Sequence, residues 1–172
     1  LFPQEIGLAA TWNPGLAEKM GQITAYECRA SGIPWNFSPV LDLGRQPLWS
    51  RHFETLGEDP FLCTQMGAAL VRGYQGTKGE VDEFHVAACL KHFVGYSASF
   101  SGRDRTPAWI PEKYMQELYL PAFKEAVAQG ALTLMINSGV VNGIPGHANY
   151  QLLTQTLKKD WGFKGFVVSD WE

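Results

Sequence analysis

Four apolar runs punctuate the chain: IPWNFSPVLDL (33–43), HVAACLKHF (85–93), ALTLMINS (131–138) and GFVVSD (165–170). Their hydrophobic positions are largely continuous rather than alternating. That pattern suits parallel strands buried on both faces. Between them the apolar period changes to that of helices. Asn13 and Pro14 open one helix, with Leu16, Met20 and Ile23 on one face. Asp59 and Pro60 open a second with Leu62, Met66, Ala69 and Leu70 inward. A third runs from Pro111 through Tyr114, Leu118 and Ala122 to Val127, stopped by Gly130, and Asn149 caps a fourth that ends near Gly162. Strands alternating with helices predict βα units and a parallel sheet, an α/β fold. Two long stretches, 44–58 and 95–109, follow strand ends without a pattern of their own. Loops of that length are usually functional. The C-terminal ends of parallel strands are where such folds bind ligands.

Each run ends in residues able to do chemistry. The first leads to Asp42 and then Arg51, the second delivers Lys91 and His92, the third Asn137 and Ser138, the fourth Asp170 beside Trp171. If the strands are parallel neighbours, these groups meet at one edge. Lys91 at about 4 Å from Asp170 would interact with it by roughly 4 kcal/mol at an effective dielectric near 20. An ionised, positioned carboxylate is what a covalent nucleophile needs at an acetal carbon. Arg51, Lys91 and His92 offer donors to hydroxyl-rich ligands, and Trp171 offers a flat apolar face. Taken singly, each has a plain structural alternative: a helix cap for Asp170, a core histidine for His92, core packing for Trp171. Arg51 lies in an acidic segment, with Glu54, Glu58 and Asp59 nearby, which equally predicts a salt bridge.

Composition narrows the function. The chain has 172 residues and a formal charge of -3, with no basic block, so it carries no electrostatic footprint for nucleic acid. No apolar run approaches the ~20 residues of a membrane helix. The three cysteines, Cys28, Cys63 and Cys89, are widely spaced and odd in number, which reads as buried free thiols rather than disulfides or zinc ligands. The four histidines show no ligand spacing such as HExxH, so no metal is expected. No GxGxxG, GxxxxGK[ST] or GxSxG occurs, so no nucleotide cofactor and no serine nucleophile is expected. The chain starts at Leu1, shows no secretory signal and stops straight after a strand, which reads as an internal piece of a longer protein.

The segments LFPQEIGLAATWNPGL, SPVLDLGRQPLWSRHFETLGEDP, CLKHFVG, MINSGVVNGIPGHAN and GFKGFVVSDWE together resemble the family 3 glycoside hydrolases, in particular their β-glucosidase-like members. The resemblance implies a retaining, exo-acting β-glycosidase without a cofactor, built on a (β/α)8 barrel of which this chain supplies about half the strands. It implies that Asp170 is the nucleophile, that Lys91, His92 and Arg51 hold sugar hydroxyls, and that Trp171 lines the neighbouring sugar subsite. It places the acid/base in a later domain, so the piece alone is expected to be inactive. It makes an oligosaccharide or β-glycoside the partner and a periplasmic or secreted location plausible. Departures bear on specificity. The family's usual RDPRWGR is RQPLWSR here, and its common Ser-Tyr after the third strand is Asn137-Ser138. The loop after Lys91-His92 has no His to accompany Asp104, which disfavours the N-acetylglucosaminidase branch. A β-xylosidase-type specificity and a non-catalytic sugar-binding homologue are the alternatives.

Overall fold

The computed structural model describes residues 2–76 and 81–171. Its centre is a parallel sheet of four strands, β1 (Trp35–Asn36), β2 (Ala87–Phe93), β3 (Thr133–Ile136) and β6 (Phe166–Val168), in the order β1-β2-β3-β6. Pairs such as Trp35 with Ala87, Leu90 with Leu134 and Leu134 with Val167 set a common register. Two further strands, β4 (Val140–Val141) and β5 (Ile144–Pro145), form a small antiparallel hairpin beyond β3. The α/β fold class expected from the sequence is thus observed, with four parallel strands, half the complement of an eight-stranded barrel.

The first run is much less regular than expected. It is a strand only at Trp35–Asn36 and returns to the sheet at Val40, which bridges to Lys91. Pro34 and Pro39 have no N–H to give a ladder, yet their carbonyls accept from Ala87 and Lys91. The run therefore stays beside β2 without forming a full strand, and delivers Asp42 just past the tip.

Helix α2 (Pro14–Ala30) is capped as expected, with the Asn13 side chain accepting from the Leu16 N–H at 3.2 Å. Its inward face is not the apolar one. Ala17, Gly21 and Ala25 are buried, whereas Leu16 and Ile23 are 46% and 41% exposed. The cause is close approach to α3 (Pro60–Gln75). A Cβ on Gly21 would lie 2.9 Å from the Gly73 Cα, so only small residues fit the crossing. Leu16, Met20 and Ile23 instead line a shallow groove with Phe2, Pro3 and Leu8. Helix α3 follows expectation: Asp59 accepts from the Leu62 N–H at 2.6 Å, and Met66, Ala69 and Leu70 are fully buried.

The third helical segment is broken. A turn at Glu112–Tyr114 passes into a wide π turn, Met115–Tyr119, before the regular helix Pro121–Ala128. Pro121 has no N–H, and its ring would strike the carbonyl four residues back in a continuous helix, so the turn widens there. In the last segment the Asn149 side chain accepts from the Leu152 N–H at 3.0 Å, and the helix Gln151–Asp160 is stopped by Gly162 at φ 68°. The core, with Leu70, Leu90, Phe93, Phe123, Leu134 and Leu157, lies between the sheet and these helices. Cys63 and Cys89 are buried as expected, and burial pushes the Cys63 thiol up to about 12; Cys28 is only part-buried.

One buried carboxyl was not anticipated. Glu5, on α1 (Glu5–Ala9), accepts from Ser38 Oγ at 2.9 Å and from the Val40 N–H at 3.2 Å. Burial raises its pKa from 4.5 to about 7, against the pull of those hydrogen bonds. In the unfolded chain Glu5 ionises near its ordinary value, while the folded chain keeps the proton up to about pH 7. Stability therefore falls as pH rises across that window, by about 3 kcal/mol at ~1.4 kcal/mol per pH unit. Glu5→Gln is expected to remove this dependence. Its thermal midpoint relative to the native protein should rise steadily from pH 4.5 to pH 7; a difference that stays constant with pH would contradict it.

Candidate active site

The tips of β1, β2 and β6 and the two long loops build one polar edge. Asp42 and His92 are its buried base, at 2% and 1% exposure. Asp42 Oδ2 accepts from both the His92 backbone N–H at 3.0 Å and the ring Nδ1 at 2.7 Å. The ring's Nδ1 proton is thereby directed at Asp42, and Nε2 is left to face other partners. The histidine is thus buried as the plain alternative required, and at the same time it is held in one orientation at a strand tip.

Arg51 makes the salt bridge that its acidic surroundings predicted. Nε and Nη2 each donate to Glu54 at 2.8 Å. Burial would raise Glu54, but the two hydrogen bonds and charge of Arg51, with Lys91 and His92 behind, hold it below the usual carboxylate range. The guanidinium also lies 6.0 Å from the Trp49 ring and 5.7 Å from the Tyr96 ring. Tyr96 belongs to the second loop and meets the edge of His92 at 4.9 Å. Its hydroxyl is pushed up to about 12, by burial first and by Asp104 next. Trp49 Nε1 donates to Asp104 at 2.8 Å, and Ser97 Oγ donates to the Leu43 carbonyl at 2.7 Å. These bonds fasten the second loop to the first.

Asp170 stands at the end of β6, 5% exposed. Oδ1 accepts from the Trp171 N–H at 2.9 Å. Oδ2 is buried and accepts no hydrogen bond among the described residues. Among the described residues the cation in ion-pair range of Oδ2 is Arg105, with Nη2 at 3.7 Å, rather than the expected Lys91. Lys91 is half-buried on β2, and its charge acts on Glu54 and Glu5. The reason is lateral position: β3 lies between β2 and β6. Arg105 reaches across because it sits on a loop. Trp171 is 62% exposed, so its core-packing alternative fails; its ring lies 5.5 Å from Phe37 and presents a face at the rim.

Asn137 does less than its position suggested. The Asn137 side chain donates to the Val94 carbonyl at 3.0 Å and accepts from the Gly139 N–H at 2.7 Å, so it is spent on turning the backbone. Sequence reasoning missed Trp49, Tyr96 and Arg105, and weighed Asp104 only as a partner for a histidine. The available signal was the length of the loop that holds Tyr96, Asp104 and Arg105. Among the described residues no group of three or more His, Cys, Asp or Glu could hold a metal ion.

The arrangement offers a desolvated carboxylate with Oδ1 anchored and Oδ2 accepting no hydrogen bond among the described residues. Arg105 is in ion-pair range, the exposed Trp171 indole is next in the chain, and elsewhere on the same edge stands an imidazole oriented by Asp42. Comparison with known proteins adds the following. A model of the glycosyl hydrolase family 3 N-terminal domain matches residues 1–172. The chain is 49% identical over 177 residues to a lysosomal beta glucosidase of Dictyostelium discoideum, covering 100% of the chain and 22% of that protein. It is 41% identical to a beta-xylosidase of Formosa agariphila, covering 99% of the chain and 24% of that protein. It superposes on the beta-glucosidase of Listeria innocua, solved in complex with glucose, with a TM-score of 0.95 and 36% identity, over 99% of the chain and 24% of that structure. The chain therefore spans about a quarter of the length of the relatives it matches.

Proposed function

Because the chain belongs to glycosyl hydrolase family 3, we propose that the protein containing it is a retaining exo-β-glycosidase with Asp170 as its nucleophile. The observation that carries this reading is the state of Asp170: buried at a strand tip, Oδ1 fixed by the Trp171 N–H, Oδ2 accepting no hydrogen bond among the described residues. A carboxylate so held keeps a lone pair for attack and has little solvation to shed.

In the first step Oδ2 bonds to the anomeric carbon while the bond to the leaving oxygen breaks, and an acid protonates that oxygen. In the second, water attacks the same carbon, gives up a proton to the same group, and the Asp170 ester is cleaved. Lys91, His92 and Arg51 hold the hydroxyls of the sugar being cleaved, and Trp171 supports the next ring. The acid/base lies outside this chain, in a further domain. Glu54 is a poor candidate for it, since a general acid must hold its proton near neutral pH and Arg51 keeps Glu54 ionised. Glucose is the favoured sugar, from the Dictyostelium relative; the Formosa relative keeps xylose as a second reading.

The test is hydrolysis of aryl β-glucosides and β-xylosides by the full-length protein, followed by proton NMR from the first turnovers. The β-anomer should form first and then mutarotate. First release of the α-anomer would overturn the nucleophile assignment, and sugar binding without hydrolysis would favour a non-catalytic module.

A further inference from the structure

Arg105 is set in the second loop at φ 58°, in the left-handed region that non-glycine residues seldom occupy. Such a backbone persists only where the surroundings over-determine it. Among the described residues its guanidinium reaches the following groups. Nη1 donates to the Trp171 carbonyl at 2.7 Å, Nη2 lies 3.7 Å from Asp170 Oδ2, and Nε lies 3.9 Å from Asp104 Oδ2. Asp104 in turn accepts from Trp49, whose ring faces Arg51. A continuous set of contacts thus joins the sugar-binding Arg51 to the backbone on the far side of Asp170.

We propose that Arg105 is a positioning residue for the nucleophile, holding the Asp170-Trp171 tip in register with the sugar pocket. This rests on the reading of Asp170 given above. The separation from Oδ2 is the telling feature. At 3.7 Å the guanidinium supplies charge without donating a hydrogen bond to Oδ2, so the attacking lone pairs stay uncommitted by it. The hydrogen bond goes to the neighbouring carbonyl instead and restrains the backbone. When Asp170 becomes an ester and loses its charge, that tether to Trp171 persists, and the carboxyl is held in place for the second step. A lysine could not reproduce this, because an ammonium is a single point and the guanidinium serves separate acceptors at fixed angles.

The experiment uses the full-length protein and an activated 2-deoxy-2-fluoro-β-glycoside, with the native protein, Arg105→Met and Arg105→Lys compared. The inactivation rate constant reads nucleophile placement, and the dissociation constant of the preceding complex reads sugar binding. Arg105→Met should lower the rate constant by about 10²-fold, the cost of a misplacement near 1 Å, with less than a threefold change in the dissociation constant. Arg105→Lys should fall between, with an unchanged thermal midpoint; it carries the test if the methionine variant does not fold. Labelling of both variants at the native rate, or loss confined to the dissociation constant, would overturn the proposal. Failure of the native protein to label at Asp170 would instead overturn the nucleophile assignment beneath it.

Discussion

Replacing Asp170 with asparagine in the full-length protein is expected to lower kcat on a dinitrophenyl β-glycoside by about 10³-fold or more, the scale seen when a covalent nucleophile is removed. The carboxamide has nearly the same shape, and its oxygen can still accept from the Trp171 N–H, so the fold should not register the change. What disappears is the negative charge and the lone pair at Oδ2. The measurement is kcat with a leaving group good enough to need no acid, together with a thermal midpoint. A second variant, Asp170→Gly, makes the assignment more specific. It opens space for a small anion on the face that Oδ2 occupied, so azide should restore turnover and give the α-glycosyl azide. An asparagine variant with more than a tenth of native activity would contradict the assignment.

Asp42→Ala should be the most damaging change to stability among the site residues. Asp42 and His92 are both buried, and a single carboxylate oxygen takes two N–H donors of His92. Truncation leaves both donors without a partner away from water. Breaking such a buried pair costs about 3–5 kcal/mol. The loss should appear as a marked drop in thermal midpoint and, at temperatures where the variant stays folded, as a raised KM, because the imidazole is no longer oriented. Asp42→Asn should be milder, since its oxygen can still accept from one of the two donors. Equal effects of the two substitutions would contradict this account, because asparagine keeps both the volume and an accepting oxygen.

The fold was readable from the chain because its strongest signals are local. Asn13-Pro14, Asp59-Pro60 and Asn149 are caps whose side chains accept from the amides three residues on. The continuous apolar runs marked β2 and β3 because those strands are largely buried, whereas β6 carries the same pattern with Phe166 54% exposed and Val167 and Val168 part-buried. The signals misled where backbone proximity outranks hydrophobicity. On α2 the contact with Gly73 selects Gly21 and its small neighbours over Leu16 and Ile23. Prolines likewise broke the pattern, at Pro34 and Pro39 in the first run and at Pro121 in the third helix.

At the site, Asp170, Lys91, His92, Arg51 and Trp171 were legible as polar or aromatic residues at strand ends or just beyond them. Asp42 was legible too, though its service to His92 was not. What could not be read was which cation meets Asp170. Strand position can be inferred from pattern, but the reach of a loop cannot, and Arg105 arrives from 65 residues earlier in the chain along an irregular path. The ion-pair alternative for Arg51 is observed, and Glu54 holds the guanidinium beside Trp49 and Tyr96.

The central claim is that Asp170 Oδ2 forms a bond to sugar carbon. Incubating the full-length protein with the 2-deoxy-2-fluoro-β-glucoside, digesting it and weighing the peptides tests that directly. One fluoroglucosyl mass should appear on the peptide containing GFVVSDWE, with fragmentation locating it at Asp170. A stable adduct on a different carboxylate, or complete hydrolysis with no adduct at any time, would contradict it.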